Sequence, residues 1–119
     1  GLGDVYKRQD DVEIPRINRI GAWWDRRGNE IDIVAGWGKK ITMIGEITWS
    51  PKPYNVRDME DLILKIELVG AKNPTLVIVA RGGATRGARA YIEERNGLIL
   101  TLEQLTKIWD QLGMHPQHS

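Results

Sequence analysis

No cysteine occurs among the 119 residues of this chain. That absence excludes a disulfide scaffold, cysteine-ligated zinc and thiol catalysis, and it fits a reducing compartment, so a cytoplasmic location is expected. No apolar run of about 18 residues is present, so no membrane-spanning helix is expected. The first residues do not read as a secretory signal. An excess of one charge is also missing: 17 Lys and Arg stand against 16 Asp and Glu, a formal net charge of +1. Any basic surface for nucleic acid must therefore come from local clustering. Phenylalanine is absent while tryptophan occurs five times. No Gly-x-x-x-x-Gly-Lys-Ser/Thr string exists, so no nucleotide is expected to be bound or hydrolysed by a P-loop of this chain.

What remains is ordinary for one small domain: 41% hydrophobic and 28% charged residues, enough for a single modest core. The string Gly3-Asp4-Val5-Tyr6-Lys7-Arg8-Gln9 resembles the translation of a transposon end used to prepare sequencing libraries. That resemblance implies a non-native tail over residues 1–9 of a truncated reading frame, with the native sequence starting near Asp10 and whatever preceded it lost. Residues 113–119 are polar, contain Pro116 and read as a flexible tail. His115 and His118 within it are expected to be solvated rather than metal-bound. The domain is expected over residues 10–112.

Along that span, Ile20–Trp24 is a short apolar run closed by Asp25-Arg26-Arg27-Gly28-Asn29, a turn signal. Glu30–Ala35 alternates, with Glu30, Asp32 and Val34 on one face and Ile31, Ile33 and Ala35 on the other, as a strand would. After Gly36–Lys40 a further strand runs from about Ile41 to Trp49, stopped by Pro51 and Pro53. Met59, Leu62, Ile63, Ile66 and Val69 form one face of a helix capped by Asn55 and ending near Gly70. Thr75–Ala80 is apolar after its first residue, as in a strand buried on both faces and reached by a crossover. A helix over about Ala84–Arg95 turns Ala84, Ala88, Tyr91 and Ile92 inward, and Leu98–Leu100 is a short strand. Thr101 and Gln104 make a capping box for a last helix with the stripe Leu102, Leu105, Ile108, Trp109 and Leu112. The expected class is α/β (α+β by stricter naming): a mixed sheet that begins as an antiparallel meander and is flanked by helices.

The chemistry lies in acidic residues inside strands. Glu30 and Asp32 on one strand face would be about 7 Å apart, and acids are poor strand formers. Glu46 belongs to the next strand, and a hairpin turning about Lys39 sets it opposite Asp32. Opposed carboxylates need a proton, a basic side chain or a cation between them. Arg and Lys neighbours on an exposed sheet face meet that need, and so does a divalent ion such as Mg²⁺.

Asn29-Glu30-Ile31-Asp32-Ile33-Val34-Ala35 and Gly45-Glu46-Ile47-Thr48-Trp49 resemble the second and third motifs of the PD-(D/E)XK nuclease-like superfamily. With Gly21-Ala22-Trp23-Trp24-Asp25-Arg26 added, roughly residues 16–112 resemble the C-terminal domain of prokaryotic, mainly archaeal, DEXX-box P-loop ATPases. The resemblance implies a restriction-endonuclease-like fold whose usual first helix would lie before Asp10. It implies Asp32 and Glu46 as ligands of Mg²⁺ or Mn²⁺ and a metal-activated water attacking a phosphodiester; Glu30, on the same face as Asp32, is the candidate for the further acidic ligand that the first helix often brings. It also implies DNA and an upstream P-loop ATPase domain as partners. The lysine expected two residues after the glutamate is Thr48, whose neutral hydroxyl supplies no cation. Lys52 and Lys65 are the candidate replacements. Catalysis impaired at Thr48 and a non-catalytic interaction or regulatory role for the ATPase both stay open.

Arg81-Gly82-Gly83-Ala84-Thr85-Arg86-Gly87 joins a strand to a helix. Arg81, Arg86 and Arg89 there, with Lys52, are either solvated or contacts to a phosphate backbone. Trp23 and Trp24 are adjacent and should point to opposite faces, one into the core. The other, with Trp49, packs against a further element or stacks on bases.

Overall fold

The computed structural model describes residues 5–7 and 13–111. The expected tail 113–119 with its two histidines, and Leu112, lie outside the described residues, as do the side chains of Ile108 and Trp109. Of the expected tail 1–9, only Val5–Lys7 is described. It forms strand β1, which pairs antiparallel with β2 (Glu13–Pro15).

The order expected from Ile20 onward is found. Strands β3 (Arg19–Trp24), β4 (Glu30–Trp37) and β5 (Lys40–Thr48) make an antiparallel meander. Helix α1 (Val56–Val69), β6 (Thr75–Ala80), α2 (Arg86–Glu94), β7 (Leu98–Leu100) and α3 (Leu102–Gln111) follow. The five strands form one sheet in sequence order, and β5, β6 and β7 run parallel. A parallel pair needs a crossover, and α1 and α2 supply the two crossovers. Both pack on one face of the sheet, over Ile31, Ile44, Leu76 and Ile78, through Met59, Leu62, Ala88 and Ile92. The opposite face, with Ile33, Met43, Val77, Val79 and Leu100, is covered by Leu105 of α3 and by Ile17. Strand β6 is buried from Leu76 to Ala80, which explains its nearly unbroken apolar run.

Local chemistry sets the boundaries of the elements. Asn55 accepts from the Asp58 N–H at 3.0 Å, and Asp58 accepts from the Asn55 N–H at 2.9 Å, a reciprocal cap that opens α1. Gly70 ends α1 at φ 76°, in the left-handed region where a side chain would be strained. The turn before β4 is held by Asp25, which accepts from the Arg27 and Asn29 backbone N–H groups. The Asn29 side-chain amide, donating to the same carboxylate, is the main reason its pKa lies below the usual aspartate value. Helix α2 begins at Arg86 behind the cap Thr85, so Ala84 stays outside it, bridged to Tyr54.

Strand β4 departs from the simple alternation expected of it. Gly21 lies opposite Val34 but Trp23 lies opposite Ile31, so β4 carries one residue more than β3 between those pairs. As a result Ile31 packs on the α1/α2 face together with Val34, while Ile33 and Ala35 pack on the α3 face. The expectation that Ile31, Ile33 and Ala35 share a face is thereby corrected, because the bulge reverses the phase at Asp32. The β4–β5 hairpin is irregular as well. Trp37 pairs with Lys40, and a shift between Ala35 and Gly36 then sets Ile33 opposite Gly45. Beyond the shift, the register is the one that a turn about Lys39 gives.

Candidate acidic site at the strand ends

The β4–β5 ladder stops at the Ile33–Gly45 pair. One residue further on, the Asp32 side chain takes over: its Oδ2 accepts from the Ile47 backbone N–H at 2.9 Å. A carboxylate thus closes a ladder position between two separating strands, satisfying a donor that would otherwise lack a partner. Among the described residues the other oxygen, Oδ1, has no hydrogen-bond or ion-pair partner.

Glu46, on β5, is differently placed. Its side chain is only 17% exposed, and both oxygens are engaged. Oε2 accepts from the Tyr54 hydroxyl at 2.8 Å, and Oε1 lies 3.5 Å from the Lys65 Nζ. Burial is the main cause that pushes the Glu46 pKa above the usual glutamate value, and the negative charge of Asp32 pushes the same way. The Tyr54 hydroxyl and the Lys65 ammonium act against that rise. The influence of Asp32 brings the two strand acids into one electrostatic site.

Lys65 reaches Glu46 because it lies three residues after Leu62 on the inward stripe of α1, its side chain 25% exposed and its ammonium carried at the end of an apolar stem. Tyr54 is 3% exposed, and its hydroxyl bonds to both Glu46 and the Asp58 carbonyl. Burial, followed by the charge of Glu46, raises the Tyr54 pKa far above the ordinary phenol value, so the hydroxyl keeps its proton to donate. Sequence reasoning missed Tyr54. The available signal was its place just before the cap Asn55, with Met59 at the fourth helical position, the spacing of a hydrophobic staple.

Thr48, two residues past Glu46, ends β5, and its carbonyl accepts from the Arg81 N–H at 3.1 Å. Glu30 stands exposed at the start of β4, opposite Trp24. Among the described residues no three His, Cys, Asp or Glu side chains gather in a group that could hold a metal ion. Among those residues Asp32 and Glu46 therefore gain no third acidic side chain placed to share a metal with them.

Lys52 and Arg81 occupy adjoining loops. Tyr54 N–H donates to the Gly83 carbonyl at 2.9 Å, and Thr85 N–H donates to the Tyr54 carbonyl at 2.8 Å, so the two loops are laced together beside the acidic pair. Arg86 lies exposed at the first position of α2, and Arg89 is 3.6 Å from Glu93 of its own helix.

The sequence model of a family described as archaeal and bacterial proteins of unknown function (DUF234) matches residues 5–61. The similarity takes in β1 to β5, Tyr54 and the first turns of α1, and it covers just under half of the chain. No curated protein and no solved structure matches. Among the described residues no helix is long and apolar enough to cross a membrane.

Proposed function

We propose that this domain is a nuclease-like module that engages DNA at the acidic site, with Lys65 supplying the cation that Thr48 does not. The observation that carries this reading is the meeting of Asp32, Glu46 and Lys65 from three separate elements at one end of the sheet. Two carboxylates are a sufficient protein contribution for Mg²⁺ or Mn²⁺, since Mg²⁺ keeps several waters and takes further oxygens from a phosphate. Asp32 has Oδ1 to offer, and Glu46 offers an oxygen once Lys65 swings aside toward the substrate. When bound, the cation would activate a water and offset charge on the attacked phosphate. The chain's own groups do the rest: Tyr54 holds Glu46 in orientation, the Lys65 ammonium faces developing negative charge, and Lys52 and Arg81 meet the phosphate backbone.

A second reading rests on a specific observation. Both Glu46 oxygens are already satisfied by Tyr54 and Lys65, as in an ion pair that only fastens α1 to β5. On that reading the domain is a non-catalytic interaction or regulatory module, joined to a P-loop ATPase.

Plasmid nicking in Mg²⁺ or Mn²⁺, with Mn²⁺ titration by calorimetry, separates the two. The nuclease reading expects Asp32→Asn to abolish metal binding. It also expects Lys65→Met to lower the nicking rate by about 10²–10³-fold, the usual loss for one electrostatic donor. Thr48→Lys should add little, because the cation is already present. Metal binding unchanged in Asp32→Asn, or nicking indifferent to Lys65, leaves the docking reading standing.

A further inference from the structure

Beside the acidic site, on the α3 side of the same sheet edge, lies a second feature that shares only Arg81 with the proposed function. The C-terminal ends of β5, β6 and β7 fall in line, with Thr48 opposite Ala80 and Val79 opposite Leu100. Crevices at the carboxyl ends of parallel strands are the usual ligand positions in open sheets. Here a cleft of about 360 Å³ opens between those strand ends and the start of α3. Its floor is Ile47 and Val79, and its rim carries Trp49, Leu102, Arg81 and Glu103. The volume falls within the range of small-molecule sites, and the lining follows their pattern of apolar walls with few polar groups.

Two rim residues are unusual for a cleft with nothing to bind. Trp49 is 64% exposed and Leu102 is 44% exposed, so both leave large apolar surfaces in water. The Arg81 guanidinium is steered toward this edge by a 3.5 Å contact from its Nη1 to the Trp49 carbonyl. A flat ring to stack on, a guanidinium and a carboxylate at the rim, and phosphate-binding candidates on the adjoining loop suit a planar, polar-edged group carried on an anionic chain. A hydrophobic peptide side chain would use the apolar floor but would make no use of the Arg81 guanidinium, whose contact to the Trp49 carbonyl engages only one of its nitrogens; Glu103 is 3.6 Å from Lys107 of its own helix.

We propose that this cleft receives an unpaired nucleobase stacked on Trp49, so that nucleic acid meets this edge of the sheet as a single strand or an unpaired end. The inference rests on the nucleic-acid reading of the acidic site and narrows its substrate class. A base inside a duplex is covered on both faces by its neighbours and cannot enter. Stacking on an aromatic ring is tolerant of base identity, so the cleft selects strandedness more than sequence.

The test is fluorescence anisotropy of the full chain with a labelled single-stranded 12-mer, the same strand as a duplex, and a 12-mer with abasic positions, all in EDTA so that metal plays no part. The single strand is expected to bind more tightly than the duplex or the abasic strand. Trp49→Ala should weaken single-strand binding by roughly 5- to 150-fold, the span of one stacked base, and Trp49→Phe should restore most of it. Trp49 is exposed, so the fold should tolerate its loss, and an unchanged circular dichroism melt checks this. Equal binding of all three probes, or a Trp49→Ala variant that binds like the parent, overturns the proposal. The outcomes for the two sites are separable. Loss of single-strand preference in Trp49→Ala with metal binding and nicking still dependent on Asp32 and Lys65 supports both sites. The same loss with no dependence on Asp32 or Lys65 supports the cleft and removes the acidic-site reading alone.

Discussion

The two halves of the sheet are built to different standards of coverage. In the parallel half, β6 is buried along Leu76–Ala80, with α1 and α2 on one face and α3 on the other. In the antiparallel half, β3 is an edge strand whose residues are exposed except for half-buried Trp23, and Trp24 stands 72% exposed. The cause is connectivity. A crossover lays a helix across the sheet, whereas a hairpin brings only the next strand. Asp32 comes from the open half and Glu46 from the strand at the seam. Lys65 and Tyr54 come from the crossover that begins the covered half. The acidic pair sits where one architecture gives way to the other, and there a solvent-reachable acid meets a packed one.

The sharpest way to break this contrast is to remove comparable bulk from each half. Leu62 of α1 is fully buried against the sheet, and Leu62→Ala is expected to cost about 2–5 kcal/mol, from lost burial and the cavity left behind. Trp24→Ala removes a larger side chain from the open half, yet it should stay within about 0.5 kcal/mol of the parent. Urea unfolding of both variants decides the matter. A large loss for Trp24→Ala would mean that the open half is covered by something in solution.

A smaller effect tests the seam itself. A Cβ on Gly45 would run into the Val77 carbonyl oxygen and would meet the Ile33 side chain at 3.3 Å. The glycine lets β5 approach β6 closely just before Glu46. Gly45→Ala forces the strands apart and is expected to cost about 1–3 kcal/mol, in the range of core overpacking. Loss of the Glu46 geometry should accompany it, which on the proposed metal-binding reading shows as weaker Mn²⁺ binding. A variant with parental stability would show that the seam is looser than its packing implies.

Much of this arrangement was legible in the sequence, for local reasons. Thr75–Ala80 and Leu98–Leu100 coincide with β6 and β7. The Asn55 and Thr101 caps are also where expected, since hydrophobic period and capping chemistry are written in neighbouring residues. The bulge at Asp32 was not legible. It is a mismatch between β4 and β3, and nothing within Glu30–Ala35 announces how many residues its partner contributes. Lys65 could be nominated only because Thr48 left a charge unsupplied. Its reach to Glu46 depends on the way α1 lies across the sheet, which spacing alone does not fix. The cleft at Trp49 joins residues from three separate stretches, and only the parallel register brings them together. The pairing of β1 with β2 was likewise not anticipated, since Val5–Lys7 lies in the stretch read as non-native.

The finest test concerns the balance within the site, and its sign follows from Glu46. Burial and the charge of Asp32 raise the pKa of Glu46 in the folded protein above its unfolded value, which is about 4.3. A carboxyl group raised on folding contributes its stabilisation fully below the unfolded pKa and loses it as pH climbs through the folded pKa. Glu46→Gln does not titrate, and its amide oxygen can still accept from the Tyr54 hydroxyl. The stability difference between the two proteins should therefore be constant below about pH 4, move in favour of the glutamine variant as pH rises, and level off once native Glu46 is ionised. Urea unfolding of both proteins at unit steps from pH 4 to pH 8 reads this directly. A difference that moves in favour of the parent would mean that Lys65 outweighs burial. The seam would then be fastened by an ion pair, and Glu46 would not be a strained acid kept for chemistry. The acidic site would then belong with the packing of the covered half.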